Sequence, residues 1–281
     1  YTSSSIWGWL YPRNTCIISN MDGLEWKRTK YNFVVRKFIR YAEKLAIRFS
    51  NHYIADSPVI KDYLFEKYGI TAEYIPYGAR LNSIHDKNCL LEYGLYPQSY
   101  YLVIARMEPE NNIEMILDGY CKSASDYPFV VAGNTANDYG KKMLKKYRNK
   151  KAIRFIGGCY DQAMLENLRH YCNFYFHGHS VGGTNPSLLE AMASACPIVA
   201  HGNSFNRAVT NENALYFYNA ADVALHINNN RADQAMITAN LKKVKEKYNW
   251  PSIIEQYDSF IQQCSFKKIL HPENATMQLT E

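Results

Sequence analysis

The chain has 281 residues, of which 47% are hydrophobic and 21% charged, with a formal net charge of +6 and a pI of about 8.8. That composition excludes a disordered or fibrous chain, and the length exceeds one ordinary domain, so two lobes that each bury a core are expected. The mild basicity suits an anionic partner such as a nucleotide, a lipid phosphate or a nucleic acid, without choosing among them.

The sequence opens on Tyr1 rather than Met, from which a piece or processed product of a longer chain is expected. Its first ten residues lack the basic start and apolar core of a signal peptide, and no apolar run reaches the ~20 residues of a membrane-spanning helix. A cytoplasmic protein is therefore expected. Three short strands, Cys16–Ser19, Tyr53–Ala55 and Glu73–Ile75, read as an incomplete Rossmann-like lobe. A long helix from about Asn32 to Phe49 separates the first two. On it Arg36, Arg40, Lys44 and Arg48 recur every fourth residue, and Val34, Phe38, Tyr41 and Leu45 form another face. This basic apron suits an anionic membrane surface or a lipid-diphosphate acceptor, the plain alternative being a solvated outer face. Nucleic acid is not expected, because no recognised motif for it accompanies the charge.

Leu90–Gln98 reads as a linker. Beyond it the strands Tyr101–Ala105, Phe129–Ala132, Ile153–Ile156, Phe174–His177, Ile198–Ala200 and Leu215–Tyr218 alternate with amphipathic helices at Ile113–Cys121, Tyr139–Arg148, Asp161–His170 and Pro186–Ser194. This is the pattern of a doubly wound α/β domain with a parallel sheet, whose ligands bind beyond the carboxyl ends of the strands. Ala232–Lys247 and Pro251–Gln263 read as two closing helices, broken at Trp250-Pro251. The expected layout is a partial first domain over 1–95, a second over 96–248, a closing helix over 249–264 and a tail over 265–281 with few apolar anchors. Seven scattered cysteines without a Cys-x-x-Cys pair read as reduced thiols rather than a disulfide framework or a zinc site.

The stretch from His177 to Ala193 carries the most chemistry. It reads as a strand end, a Gly-rich turn and a helix start, where free N–H groups and the positive end of the helix dipole stabilise a phosphate. Gly183, Thr184 and Asn185 would face the phosphates, and Glu190, about two turns into the helix, would reach a ribose. The plain alternative is a helix N-terminus that binds nothing. His177 and His179 flank Gly178, so one of them points toward the cleft and the other into the fold, with His179 preferred as the ligand contact. No carboxylate or thiol lies at metal-ligand spacing and no Asp-x-Asp signature occurs, so no metal is expected.

Val103-Ile-Ala-Arg-Met-Glu-Pro-Glu-Asn-Asn-Ile113, Val130-Val-Ala-Gly133, Arg154-Phe-Ile-Gly157 and Ser180 through Ala193 resemble the nucleotide-sugar domain of GT-B glycosyltransferases of family four. The resemblance implies a GT-B fold, a nucleoside-diphosphate sugar as donor substrate and no other cofactor. It also implies that Arg106 holds the donor diphosphate, with Asn111 where the family carries a partner Lys. Glu190 matches the family's ribose-binding glutamate, while Gly182 stands where its other glutamate would be. The region near Gly157 would contact the base, and the closing helix would cross back to the first lobe.

Asn20-Met-Asp-Gly-Leu-Glu-Trp-Lys-Arg-Thr-Lys30, Glu108 through Asn112 and Gly178 through Pro186 are similar to bacterial rhamnosyltransferases of polysaccharide assembly. That implies retaining transfer of L-rhamnose from dTDP or UDP to a lipid-linked glycan acceptor. Asp22 and Glu25, at the end of an early strand, are the candidate catalytic carboxylates, either of which could orient or deprotonate an acceptor hydroxyl. A turn and a helix-start residue are their plain alternatives. A sugar-nucleotide epimerase built on the same diphosphate cradle, or a donor-binding fragment without turnover, are the competing readings.

Overall fold

The computed structural model describes residues 2–12, 14–81 and 85–270, which form two compact units divided after Tyr77 and again after Asn249. In the first unit a 3-10 segment, Thr2–Leu10, precedes β1 (Ile18–Met21), α1 (Phe33–Phe49), β2 (His52–Ala55), α2 (Pro58–Tyr68) and β3 (Glu73–Tyr74). The strands form a parallel sheet in the order β1-β2-β3, with Ile18 opposite His52 and Ile54 opposite Glu73. Local chemistry sets the helix limits. The Asn32 side chain accepts from the Val35 N–H at 2.9 Å to start α1, and Ser57 caps α2 with Pro58 in its first turn. Gly69 ends α2 at φ +67°.

The inward stripe of α1 is Ala42 and Ala46 with Glu43, which is only 3% exposed. That carboxylate accepts from Trp26 Nε1 at 2.9 Å, Tyr63 and Tyr68 hydroxyls at 2.6 Å each, and Lys67 Nζ at 2.9 Å. Burial pushes the Glu43 carboxyl up, but the Tyr63, Tyr68 and Lys67 donors outweigh it and leave the group below its ordinary range. Arg36, Arg40, Lys44 and Arg48 are exposed, and so are Val34, Phe38 and Tyr41. The C-terminal helix, Trp250–Leu270, belongs to this unit, where Ile253 packs with Ile54 and Ile75 and Tyr257 accepts from Asn20 Nδ2 at 3.1 Å. It runs past the expected end at Gln263. Residues 271–281, the rest of the expected tail, lie outside the described residues.

The second unit, Gly78–Asn249, contains β4 (Tyr101–Ile104), α3 (Ile113–Lys122), β5 (Phe129–Ala132), α4 (Asp138–Tyr147), β6 (Ile153–Gly157), α5 (Gln162–Tyr171), β7 (Phe174–His177), α6 (Pro186–Ala193), β8 (Ile198–His201), α7 (Ser204–Thr210), β9 (Leu215–Phe217), α8 (Ala220–Asn229) and α9 (Gln234–Lys247). All six strands are parallel, in the order β6-β5-β4-β7-β8-β9. Every residue of β5 and β7 is buried, as a sheet covered on both faces demands. The winding reverses between β4 and β7, so the loops after these two strands part there and open a crevice.

The segment read as a linker is instead part of this unit. Lys87–Tyr93 forms a 3-10 helix started by the Asp86 side chain, and Leu90 and Leu95 are 0% and 2% exposed. The Asp86 N–H donates to Asn167 Oδ1 at 2.9 Å and the Gln98 N–H to the Tyr171 carbonyl at 2.8 Å, which fastens the segment to α5. These anchors place the division at Tyr77, not near residue 95. Among the described residues, no helix is long and apolar enough to cross a membrane.

Candidate active site

A cavity of about 740 Å³ opens at the carboxyl ends of β4, β5 and β7, wholly within the second unit. Arg106, Glu108 and Asn111 line it from the loop after β4, Gly133 and Asn137 from that after β5, and Gly158 and Tyr160 from that after β6. His177, Gly178 and His179 close it at the end of β7, Asn185, Ser187 and Glu190 from α6, and Arg169 from α5.

Two glycines let the loops come together. A Cβ on Gly178 would sit 2.0 Å from the Asn111 carbonyl oxygen, and one on Gly133 would sit 2.2 Å from that of Ala105. Both obstacles are backbone, so any side chain would push the loops apart. Hydrogen bonds then stitch the segment 108–112 to 178–180. Asn112 Nδ2 donates to the Gly178 carbonyl at 2.7 Å, and the Ser180 N–H and hydroxyl donate to the Glu110 carbonyl at 3.0 and 2.9 Å. Asn111, 4% exposed, donates Nδ2 to the Arg106 carbonyl and pairs Oδ1 with His179 Nδ1, both at 2.7 Å. Both polar ends of Asn111 are thus engaged within the protein, where it braces Arg106 and His179.

Arg106 extends from this brace with its side chain 66% exposed and Nη2 3.7 Å from the Glu108 carboxylate. So loose and wet a pair leaves the guanidinium available to a ligand. At α6 the expected row of open amides takes a different form. Pro186 has no N–H, the Ser187 N–H donates to Asn185 Oδ1 at 2.9 Å, and those of Leu188 and Leu189 donate to the Asn185 carbonyl at 3.0 and 3.2 Å. The first turn of the helix therefore offers its dipole, with these amides already engaged. Thr184 is buried at 3%, and neither it nor Gly183 lines the cavity. Gly157 is likewise set back at φ +76°, and its neighbour Gly158 takes the wall position.

Glu190 faces the cavity with 32% of its side chain exposed, and its Oε2 lies 2.5 Å from Nη2 of Arg169, which is 1% exposed. Sequence reasoning did not single out Arg169. Its one signal was position, since it follows the core residue Leu168 on a helix whose buried residues also include Asn167. His177 is 4% exposed, and burial first, then the neighbouring charges of His179, Arg169 and His201, holds its imidazole well below the ordinary value of 6.5. It is therefore a neutral ring at physiological pH. Of the two histidines His177 is the buried one and His179 the half-buried one, and both contribute to the cavity wall.

Asp22 and Glu25 belong to the first unit, Asp22 in the loop after β1 and Glu25 as the first residue of a 3-10 helix, Glu25–Lys27, the helix-start position that was its plain alternative. Glu25 is ion-paired with Arg28 at 2.7 Å. Trp26 is held between the Glu43 carboxylate and the Arg40 guanidinium, whose carbon lies 4.2 Å from its ring centre, and its carbonyl accepts from Arg36 Nε at 2.9 Å.

Residues 96–252 match the family model of glycosyl transferases group 1, and residues 14–80 match a domain of unknown function (DUF1972). No curated protein matches the chain. Among solved structures it is similar to sucrose-phosphate synthase from Thermosynechococcus elongatus, at 16% identity and a TM-score of 0.78 over 94% of this chain and 72% of that one. It is also similar to HepE from Anabaena in complex with UDP-glucose, at 14% identity and a TM-score of 0.77 over 92% of this chain and 75% of that one. The pneumococcal O-GlcNAc transferase GtfA in complex with UDP and GlcNAc follows, at 12% identity and a TM-score of 0.64 over 90% and 53%. Likeness at such identities speaks to the fold, which is the parallel-sheet α/β architecture of GT-B proteins. The group 1 model spans more than half of the sequence and contains every residue of the cavity, and on that match the chain belongs to the glycosyl transferases group 1 family.

Proposed function

We propose that the protein transfers a hexosyl unit, L-rhamnose by its resemblance to rhamnosyltransferases, from a dTDP or UDP donor to a lipid-linked glycan with retention of configuration. The observation that carries this reading is the cavity at the switch between β4 and β7, with the exposed Arg106 guanidinium on one wall and the Glu190 carboxylate on another. A cation and a helix dipole favour a diphosphate, and a carboxylate accepts from ribose hydroxyls. The neighbour HepE, solved with UDP-glucose, lends a precedent for a nucleotide sugar on this fold.

In the transfer, the bond between the anomeric carbon and the diphosphate oxygen breaks while the acceptor oxygen bonds to that carbon. Arg106 stabilises the charge that grows on the departing diphosphate. The acceptor proton passes to a carboxylate or to the leaving diphosphate, and Asp22 is preferred for the acceptor side because Glu25 is occupied by Arg28. The exposed Lys44 and Arg48 of α1, beside the exposed Val34, Phe38 and Tyr41, suit an anionic membrane surface where a lipid-linked acceptor would reside. Reversing the charges of Lys44 and Arg48 should release the protein from anionic vesicles, and a parent that never binds such vesicles removes this part of the reading.

The test of the donor site is calorimetry with UDP and dTDP on the parent and Arg106→Ala. Loss of one charge-assisted contact should weaken binding by about 1.5–3 kcal/mol. Equal affinity in the two proteins takes Arg106 out of the site. Thermal shifts across a panel of sugar nucleotides then rank the donors, and a dTDP-selective shift supports the rhamnosyl branch.

A further inference from the structure

Glu190 can serve a ribose only if its carboxylate is held in one orientation, and the residue placed to do this is buried beneath it. Arg169 comes from the last turn of α5 and Glu190 from the second turn of α6, so the 2.5 Å contact between Nη2 and Oε2 ties two helices that share no sequence neighbourhood. The guanidinium itself has little room to shift. It is 1% exposed, with its carbon 5.9 Å from the ring centre of Tyr175, whose hydroxyl is fixed by Ser187 Oγ at 2.7 Å. Arg169 Nε and Nη1 are buried with no hydrogen-bond partner. A charged group so poorly satisfied is a poor choice for packing, where an apolar chain of similar length does better. Its one strong contact is with the carboxylate on the cavity wall.

We propose that Arg169 is a positioning residue of the donor site: it clamps one oxygen of Glu190 and thereby presents the other to the ribose hydroxyls of the nucleotide. The proposal rests on the donor-site reading above and adds to it a residue that acts through Glu190, because at 1% exposure its guanidinium sits at the back of the cavity wall with Nε and Nη1 buried. A clamp of this kind acts on one part of the ligand only. Removing it should leave the diphosphate contacts at Arg106 as they were and erase the contribution of the ribose hydroxyls.

The experiment compares dissociation constants, by calorimetry, for UDP against 2′,3′-dideoxy-UDP and for dTDP against 3′-deoxy-dTDP, using whichever pair the parent binds. The proteins are the parent, Glu190→Gln, Arg169→Met and Arg169→Lys. The parent should favour the hydroxylated nucleotide by about tenfold or more, as hydrogen bonds to a charged group do. Arg169→Met should bring that ratio close to one with the affinity for the deoxy nucleotide unchanged, and Arg169→Lys should restore part of it. Should Arg169→Met fail to fold, Arg169→Gln carries the same comparison. A ratio that survives in Arg169→Met, or equal weakening of both nucleotides, overturns the clamp, since a structural role predicts those results. A ratio that survives in Glu190→Gln overturns the ribose contact itself and the clamp with it, and a parent that binds neither pair overturns the donor site.

Discussion

Replacing Glu190 by Gln keeps the shape of the side chain and removes its charge, which leaves Arg169 as a buried cation without a counter-charge. Breaking a buried pair from one side destabilises by about 3–5 kcal/mol, because the remaining charge is neither solvated nor matched. Arg169 is 1% exposed and two of its nitrogens have no acceptor, while the Glu190 side chain is 32% exposed, so water reaches the pair from one side. The lower end of that range, about 3 kcal/mol, is therefore expected. For a unit of this size each kcal/mol moves the midpoint by about 2–4 °C, which makes a fall of about 6–12 °C. The assay is thermal and urea unfolding at pH 7 without nucleotide, with Arg169→Met/Glu190→Leu as the control. The apolar pair should lie within about 1 kcal/mol of the parent or above it, because neither partner is left orphaned. A Glu190→Gln loss under about 1 kcal/mol, or a double variant as unstable as the single one, refutes the picture of a desolvated guanidinium.

Gly178→Ala puts a Cβ 2.0 Å from the Asn111 carbonyl oxygen, so it should lower stability by about 3 kcal/mol in urea unfolding, and an unchanged midpoint would deny the close approach. For His177, the buried ring stays neutral at a pH where the unfolded chain takes up a proton, so its contribution to stability is full above pH 6.5 and is lost as the pH falls below that value toward the depressed native pKa. Unfolding measured from pH 7 to 5 should show this slope, and His177→Leu should flatten it in part, because burial also lowers His201; a slope identical in both proteins assigns it elsewhere. Asn111→Lys, which restores the family's cation, should weaken nucleotide binding rather than strengthen it. The change breaks two internal hydrogen bonds of about 1 kcal/mol each and puts a charge where the side chain is 4% exposed, and tighter binding in calorimetry would contradict this.

The second unit was legible because its strands are buried on both faces. Phe129–Ala132 and Phe174–His177 are uninterrupted runs between polar helices, and they form strands with those limits. The edge strand β1 begins and ends two residues later than its apolar pattern suggests, since Ser19 and Asn20 interrupt that pattern. Helix α2 leaves little periodic signal in the sequence although Ser57-Pro58 and Gly69 mark both its ends, because its apolar residues do not gather on one side. The short α7 and the helix α8 begin at Asn203 and Asn219, caps that resemble loop residues until the chain beyond them is seen to turn. Leu90–Gln98 resembles a linker in sequence because its apolar residues, Leu90, Leu91 and Leu95 with two tyrosines, follow no strand or helix period, and only the burial of Leu90 and Leu95 and the hydrogen bonds from Asp86 and Gln98 to α5 show that the segment is packed.

For the site, residue type and spacing located the cavity but not the state of its polar atoms. Arg106, Asn111, His179, Asn185 and Glu190 do line one space, yet the amide of Asn111 and the side-chain oxygen of Asn185 are spent on the protein itself. Sequence cannot show that, because a satisfied amide and an open one are the same residue. The difference redistributes the electrostatics of the proposed donor site. With Pro186 lacking an N–H and the next three amides of α6 engaged, a diphosphate bound there would meet only the dipole of a short helix, and Arg169 is neutralised by Glu190. Arg106 is then the principal full positive charge that a diphosphate would meet in this cavity. It follows that Arg106→Ala should weaken UDP or dTDP binding more than Gly183→Val does, since Gly183 is set back from the wall. The reverse order in calorimetry would mean that the turn at 182–184 opens its amides when nucleotide enters, and that the hold on the phosphates is made there.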